Sequence, residues 1–394
     1  MSRDLHLWAH SSIVRYMFGL ILAFLFGATS CSDSTAPPTG PPTTDLSGPT
    51  DLSALGGNLP PDPKGTADAV RTTRGIWITL DEIRTLPTSG RAWDRLRAQA
   101  DRSAGIPDLS NQDQMNNVYV LAKALAYART GNQRYRTEVR QNCMAAINTE
   151  LDGETLALGR ELAAYVIAAD LVGLESSEDV AFSNWLRRTL TENLAGRTLR
   201  STHEDRPNNW GTMAGASRAA VAAYLGDRTE LERVAKVFKG WLGDRNSYAR
   251  FRWGDLSWQA DPSRPVGVNP RGAMKQGHSI DGILPDDMRR GGSFRWPPGT
   301  TGYPWEGLAG AVVQAEILHR AGYPAWQWQD QALKRAVEAL FALSRSHGGS
   351  WWVNDGDEQF IPWMINKRYG TRYPVNLPAR AGKVMAWTDW THSR

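Results

Sequence analysis

Two cysteines, Cys31 and Cys143, are all that the 394 residues contain. That is too few for a fold stapled by disulfides, and Cys143, set in Asn142-Cys143-Met144-Ala145-Ala146, reads as a buried thiol. The apolar run at residues 17–28 (MFGLILAFLFGA) falls short of the roughly 20 residues that span a bilayer as a helix. No run rich in Lys and Arg is present, which argues against a nucleic-acid partner. The segment Asn354-Asp355-Gly356-Asp357-Glu358 misses the spacing of known calcium loops and reads as a polar turn. What charge there is comes to +4, a mildly basic balance that suits an acidic substrate.

The short apolar run has a different use. Arg3 and Arg15 precede it, and it closes on Ala28-Thr29-Ser30-Cys31. A positive start, a short apolar core and small residues before a cysteine are the parts of an export signal. Residues 1–30 are therefore expected to be the signal, with Cys31 the lipidated first residue of the mature chain; plain cleavage or an uncleaved anchor are the alternatives. Residues 31–66 are Pro, Thr, Ser, Gly and Asp with little to bury, the composition of a flexible tether. Membrane attachment is expected through the lipid only. The remaining roughly 330 residues, 67–394, suffice for one large domain.

In that domain the periodicity is helical. Val118, Leu121, Ala122, Leu125 and Ala126 fall at i, i+3, i+4, i+7 and i+8. Met213, Ala216, Ser217, Ala220, Val221 and Tyr224 repeat the pattern, as do Trp305, Leu308, Ala309, Val312 and Val313. This is the 3.6-residue period of amphipathic helices. Turn signals at Gly131-Asn132, Asp152-Gly153, Gly173, Gly226-Asp227 and Gly322-Tyr323-Pro324 separate them. Helical hairpins joined by short loops imply an all-α fold, an (α/α) toroid or incomplete barrel.

Residues 246–304 break the pattern. They are rich in Gly, Pro, Arg and Trp, as a loop over a cleft would be. Eleven of the seventeen Trp lie from Trp253 onward, so sugar stacking and packing of irregular segments compete as explanations for them. Trp351, Trp352, Trp387 and Trp390 are the expected exposed ones.

Three patches carry residues of chemical interest. Arg206-Pro207-Asn208-Asn209-Trp210-Gly211 opens a helix, where backbone N–H groups and the helix dipole favour an anion. Gly277-His278-Ser279-Ile280-Asp281-Gly282 puts an imidazole in an irregular segment, and Asp286-Asp287-Met288-Arg289-Arg290 follows it. Asp286 and Asp287 read as turn residues or as partners of Arg289 and Arg290. The third patch runs from Phe294-Arg295-Trp296 to Gly302-Tyr303-Pro304-Trp305-Glu306, with Tyr303 where the loop enters a helix.

The Asn-Asn-Trp helix start, the later His, and an Arg followed by the loop-to-helix Tyr resemble the alginate lyase family, in particular its glucuronan- and mannuronan-active branch. Gly75-Ile76-Trp77-Ile78 and Leu86-Pro87-Thr88-Ser89-Gly90-Arg91-Ala92-Trp93 fit the same resemblance. It implies β-elimination on an anionic uronan without a metal or other cofactor. It further implies that Asn209, with Asn208 and an Arg, neutralises the uronate carboxylate, and that Tyr303 is the acid, or both acid and base. Arg290 or Arg295 would fork the carboxylate or lower the pKa of the Tyr, with Trp210, Arg289, His203 and Trp305 among the substrate contacts. One departure stands out: the family's usual Asn-Asn-His has Trp210 in the His position. The base is then expected at His278 first and His203 second.

Two other readings stay open. A glycoside hydrolase needs two carboxylates roughly 5–10 Å apart across the sugar, with Glu161, Asp281, Asp287 and Glu306 as candidates. A non-catalytic glycan-binding lipoprotein is permitted by the Trp-rich last third.

Overall fold

The computed structural model describes residues 72–347, 356–375 and 382–393. The export signal, Cys31, the tether, Trp351, Trp352, Asn354 and Asp355 lie outside the described residues.

The fold is all-α. Among the described residues there are fourteen α-helices and one two-stranded hairpin, β1 (Met274–Lys275) with β2 (His278–Ser279). The helices are α1 (Leu80–Thr85), α2 (Arg91–Ala100), α3 (Asn116–Thr130), α4 (Gln133–Ala146), α5 (Thr155–Val172), α6 (Ser176–Thr189) and α7 (Leu199–Asp205). They continue as α8 (Asn209–Leu225), α9 (Arg228–Leu242), α10 (Pro285–Met288), α11 (Tyr303–Arg320), α12 (Trp328–His347), α13 (Ile361–Tyr369) and α14 (Thr388–Thr391).

Local signals set many of the helix ends. Thr79 caps α1 in a reciprocal box with Glu82, and Thr198 caps α7 with Ser201. Asn132 and Asp227 accept from backbone N–H groups at the starts of α4 and α9. Gly131 and Gly226 end α3 and α8 in the left-handed conformation that glycine adopts most readily.

The expected helices at 118–126, 213–225 and 305–313 are α3, α8 and α11. They differ from the expectation in one respect: α5, α8 and α11 are buried around nearly their whole circumference rather than along a stripe. The cause is their place in the packing. The largest contacts run from α3 to α5, α5 to α8 and α8 to α11, so each of the later helices has a neighbour on both sides. Small residues allow the close approach. A Cβ on Gly159 would lie 2.9 Å from the backbone nitrogen of Ala214, and one on Gly310 would lie 2.2 Å from the backbone carbon of Thr212. Gln314 Nε2 on α11 then donates to the Thr212 carbonyl of α8 at 2.9 Å.

The last residues return to the first helices. Trp387 Nε1 donates to the Val118 carbonyl at 2.8 Å and Trp390 Nε1 to that of Pro87 at 2.9 Å. The Trp390 ring packs on Trp93 with centroids 5.2 Å apart, and Arg95 pairs with Asp389 at 2.6 Å. Trp387 and Trp390 are thus core residues, 4% and 1% exposed, which corrects the expectation that they face solvent. Each brings a large apolar ring and finds a backbone carbonyl for its one donor. Contacts of α11 with α13, α13 with α14, α14 with α2 and α2 with α3 complete a succession that ends where it began.

Cys143 is a free, fully buried thiol, as expected, and burial pushes its pKa upward. Residues 246–304 are largely irregular, also as expected.

Candidate functional site

The starts of the two long helices α8 and α11 meet at one cavity of about 280 Å³. Asn209 and Trp210 stand on the first turn of α8, and Tyr303 and Glu306 on the first turn of α11. Tyr303 and Glu306 are three residues apart, hence on one face. Arg160 reaches the cavity from α5, Arg290 from the short 3₁₀ turn after α10, and Asp357, Glu358 and Lys383 from the segments flanking α13. Two helix N-termini aimed at one cavity add a partial positive charge to it.

Arg290 Nη2 donates to Tyr303 Oη at 2.9 Å, and the guanidinium carbon sits 4.1 Å from the centre of that ring. The bond uses a lone pair of the phenol oxygen and leaves its own O–H free to donate. Asn209 Nδ2 donates to Glu306 Oε2 at 2.7 Å, and Arg160 Nη2 lies 3.5 Å from the same oxygen. Arg160 Nη1 is anchored on the Gln112 carbonyl at 3.1 Å. Lys383 Nζ pairs with Asp113 at 2.7 Å, which holds the Asp113 carboxyl below its usual range, and lies 3.5 Å from Asp357. Glu358 is pushed up to about 7 by loss of solvation, reinforced by the charges of Asp357 and Glu306.

Asn209 is fixed from behind. Its backbone N–H donates to Asp287 Oδ1 at 3.1 Å. Asp287 is 1% exposed, and burial raises its pKa well above the ordinary value, with help from Asp286 and Glu306. Its other oxygen has no partner and lies 2.3 Å from where a Cβ on Gly307 would stand, so only a glycine there lets α11 close over it. Asp287 thus lies between the start of α8, which it holds by a hydrogen bond, and Gly307 of α11. Trp210 is held by Arg206, whose guanidinium lies 5.1 Å over the indole.

Of the residues singled out in the sequence, Asn209, Trp210, Arg290, Tyr303 and the hydrolase candidate Glu306 line this cavity together, as do Asp357 and Glu358 of the segment read as a polar turn. The others stand elsewhere. His278 lies on β2, and its ring is stacked on Trp296 at 4.5 Å and 9°. Trp296 in turn meets His347 edge-on at 5.7 Å. His203 is 3% exposed in the interior, its Nδ1 3.4 Å from Arg218 Nη1. Burial and the Arg218 charge hold its pKa well below the ordinary histidine value, which keeps it neutral. Asn208 is the buried N-cap of α8; its carbonyl accepts from Thr212 N, and its side chain makes no capping bond. Arg289 is engaged by Asp286 at 2.9 Å, the pairing the sequence allowed. Arg295 is exposed and does not line the cavity. Trp305 is 4% exposed and packs edge-on against Phe341 at 5.8 Å, so it is no stacking surface. Among the described residues, no group of three or more His, Cys, Asp and Glu is placed to share a cation.

Sequence reasoning missed Arg160, Lys383 and Glu358 as cavity residues. Arg160 left one signal: with Glu161 and Asp170 it is one of three charged residues in the mostly apolar α5 (TLALGRELAAYVIAADLV), where charged residues need a partner or a cavity. Glu358 left one as well, its place in the acidic segment that reads as a polar turn; Lys383 left none.

This is a helical domain with a cavity lined by three cations, a tyrosine and four carboxylates. Residues 102–246 match the family model described as alginate lyase. That span takes in Arg160, Asn208, Asn209 and Trp210 and ends before Arg290 and Tyr303. The chain therefore resembles the alginate lyase family, and the match supports a polysaccharide lyase acting on an anionic polysaccharide. No curated protein matches the chain.

Proposed function

We propose that the protein cuts a uronan such as alginate, polymannuronate or glucuronan by β-elimination. The observation that carries the reading is the convergence of Asn209, Arg290 and Tyr303 on one cavity. The C5 proton of a uronate is weakly acidic, so its removal requires the carboxylate charge to be offset as an enolate develops. Arg290, Arg160 and the two helix N-termini supply that field. Asn209 contributes through the second N–H of an amide already oriented by Glu306.

With both imidazoles outside the cavity, the proton chemistry falls to Tyr303. Its phenolate oxygen takes the C5 proton, the C4–C5 double bond forms, and the C4–O4 bond breaks. The same phenol then returns the proton to O4. No water is consumed. One group can serve both steps only where the C5 hydrogen and O4 share a face of the sugar, so the reading implies syn-elimination. Arg290, bonded to the phenol oxygen, offsets the negative charge of the phenolate form that this step requires. The succession of contacts that returns to α2 supports a toroid as the frame of this cavity.

Tyr303→Phe is expected to lower kcat by about 10²–10⁴-fold, with an unchanged circular dichroism spectrum. His278→Ala is expected to keep activity within a few fold. The reverse ranking of the two variants would return the base to His278 and defeat the Tyr303 assignment.

The hydrolase reading has one observation in its favour, since Glu306 and Glu358 line the same cavity. Glu306 is, however, already engaged by Asn209 and Arg160. New reducing ends without unsaturated sugars would favour it.

The sequence of the first 31 residues supports export and lipid attachment at Cys31. On that proposal Cys31→Ser moves the protein from the membrane to the soluble fraction; membrane retention of the variant would refute lipidation.

A further inference from the structure

A second cavity, of about 250 Å³, lies between the end of α9, residues 260–271 and the start of α12, and shares no lining residue with the first. Arg245, Arg264, Arg271 and Arg335 line it, against only Asp261 and Asp330. The four arginines are not equivalent. Arg335 belongs to the frame. Its Nη1 donates to the Asn269 carbonyl at 2.8 Å and pairs with Asp281, while Nη2 and Nε donate to the carbonyls of Gln329 and Asp330 at 3.1 and 3.2 Å.

Those two carbonyls belong to a strained rim. Gln329, Asp330 and Gln331 have φ of 49°, 56° and 55°, three successive non-glycine residues in the left-handed region. Each costs about 1–2 kcal/mol, and such a run persists only where its surroundings hold it. Arg335 does so, and the result is a preformed edge with Gln329 and Asp330 on the cleft. Opposite, Arg245 Nη1 is fixed on the Pro265 carbonyl at 2.7 Å. No carboxylate of the described residues lies within ion-pair distance of Arg245 or Arg264. Arg271, 65% exposed, has only Asp330 at a loose 3.9 Å. Three guanidinium groups are thus gathered on one cleft against two carboxylates, Asp261 near Arg264 and Asp330 near Arg271, and an anion would offset the positive charge that remains.

We infer that this cleft is a second binding site for the carboxylates of an acidic polysaccharide, holding a stretch of chain away from the cavity where cutting is proposed. The choice of ligand rests on that reading of the first cavity; the cleft itself does not. No aromatic side chain lines it, so recognition is by charge and fades with salt. A polymer engages both sites, whereas a short oligosaccharide fills the first alone. The second site therefore raises affinity for polymer without entering the chemistry.

The test is affinity electrophoresis of the Tyr303→Phe protein through gels containing alginate, glucuronan or hyaluronan, with dextran as neutral control and polythymidylate as an unrelated polyanion. Adding Arg264→Ala and Arg271→Ala is expected to weaken retardation by the preferred uronan about tenfold, as loss of two exposed charge contacts implies. Arg264→Lys with Arg271→Lys is expected to keep part of it. In the otherwise wild-type chain, the alanine pair should leave turnover of a short oligouronate unchanged. Unaltered retardation by the uronans, or an equal loss with polythymidylate, overturns the proposal. Should the wild-type protein cut none of the polymers while arginine-dependent retardation persists, the lyase reading falls and the cleft stands.

Discussion

Buried next to Arg160 on α5, Glu161 carries a carboxyl that loss of solvation pushes up from the ordinary 4.5 to about 9, against the opposing donor Gln114 Nε2 and the Arg160 charge. A carboxyl whose folded pKa exceeds its unfolded one binds a proton on folding. Its contribution to stability is fully present below the unfolded value and is lost as pH rises through the folded one. Between 4.5 and about 9, then, Glu161 makes the protein progressively less stable. Glu161→Gln, which keeps an oxygen for Gln114, is expected to flatten that slope; melting temperatures of the two proteins measured across this range give the comparison. An unchanged slope would show that Glu161 titrates normally in the folded state. At this scale the sequence was legible where a residue's role is fixed by its position on an element. Asn209 and Trp210 follow a helix start, and Tyr303 follows a loop into another, so three patches far apart in the chain pointed to one place. The two histidines were not legible. Whether an imidazole faces a cavity, as expected of His278, or a tryptophan, as found, is decided by packing between segments that no local pattern encodes.

Between elements, the glycines on α5 and α11 set the distance at which α8 sits. A methyl group on Gly310 would fall 2.2 Å from the Thr212 backbone, which cannot yield as a flexible side chain would. Gly310→Ala is therefore expected to destabilise the fold by about 1–3 kcal/mol, the usual cost of overpacking, and to displace the start of α8 relative to Tyr303. Chemical denaturation measures the first effect, and a fall in kcat beyond that caused by an equally destabilising substitution distant from α8 measures the second. Helix existence was readable from the 3.6-residue period, and several helix ends from their caps. What the period could not show was how α8 and α11 are enclosed. Their all-round burial reflects neighbours on both sides, and alanine and glycine fit such a position as well as they fit a stripe. The same limit explains Trp387 and Trp390: an indole in an irregular segment reads alike whether it stacks on sugar or closes the core, and here each finds a backbone carbonyl of the first helices for its N–H.

The whole molecule combines an all-α domain, a cavity of mixed charge at two helix starts and an alginate lyase match over residues 102–246. The sequence read the fold class correctly, because periodicity over many helices accumulates. It read the cavity only in part, because Arg160 and Lys383 reach it from elements with no motif of their own, and Glu358 from a segment that reads as a polar turn. If the protein is exported and meets polymer too large to enter a cell, the second, non-catalytic hold proposed for the arginine cleft would serve it. The central claim is that this cavity eliminates rather than hydrolyses. It is tested most directly by incubating the protein with alginate, polymannuronate, glucuronan and hyaluronan and recording ultraviolet absorbance of the products. Absorbance that rises with each new chain end, and is lost in Tyr303→Phe, is the predicted result; chain cleavage without any such absorbance would contradict it.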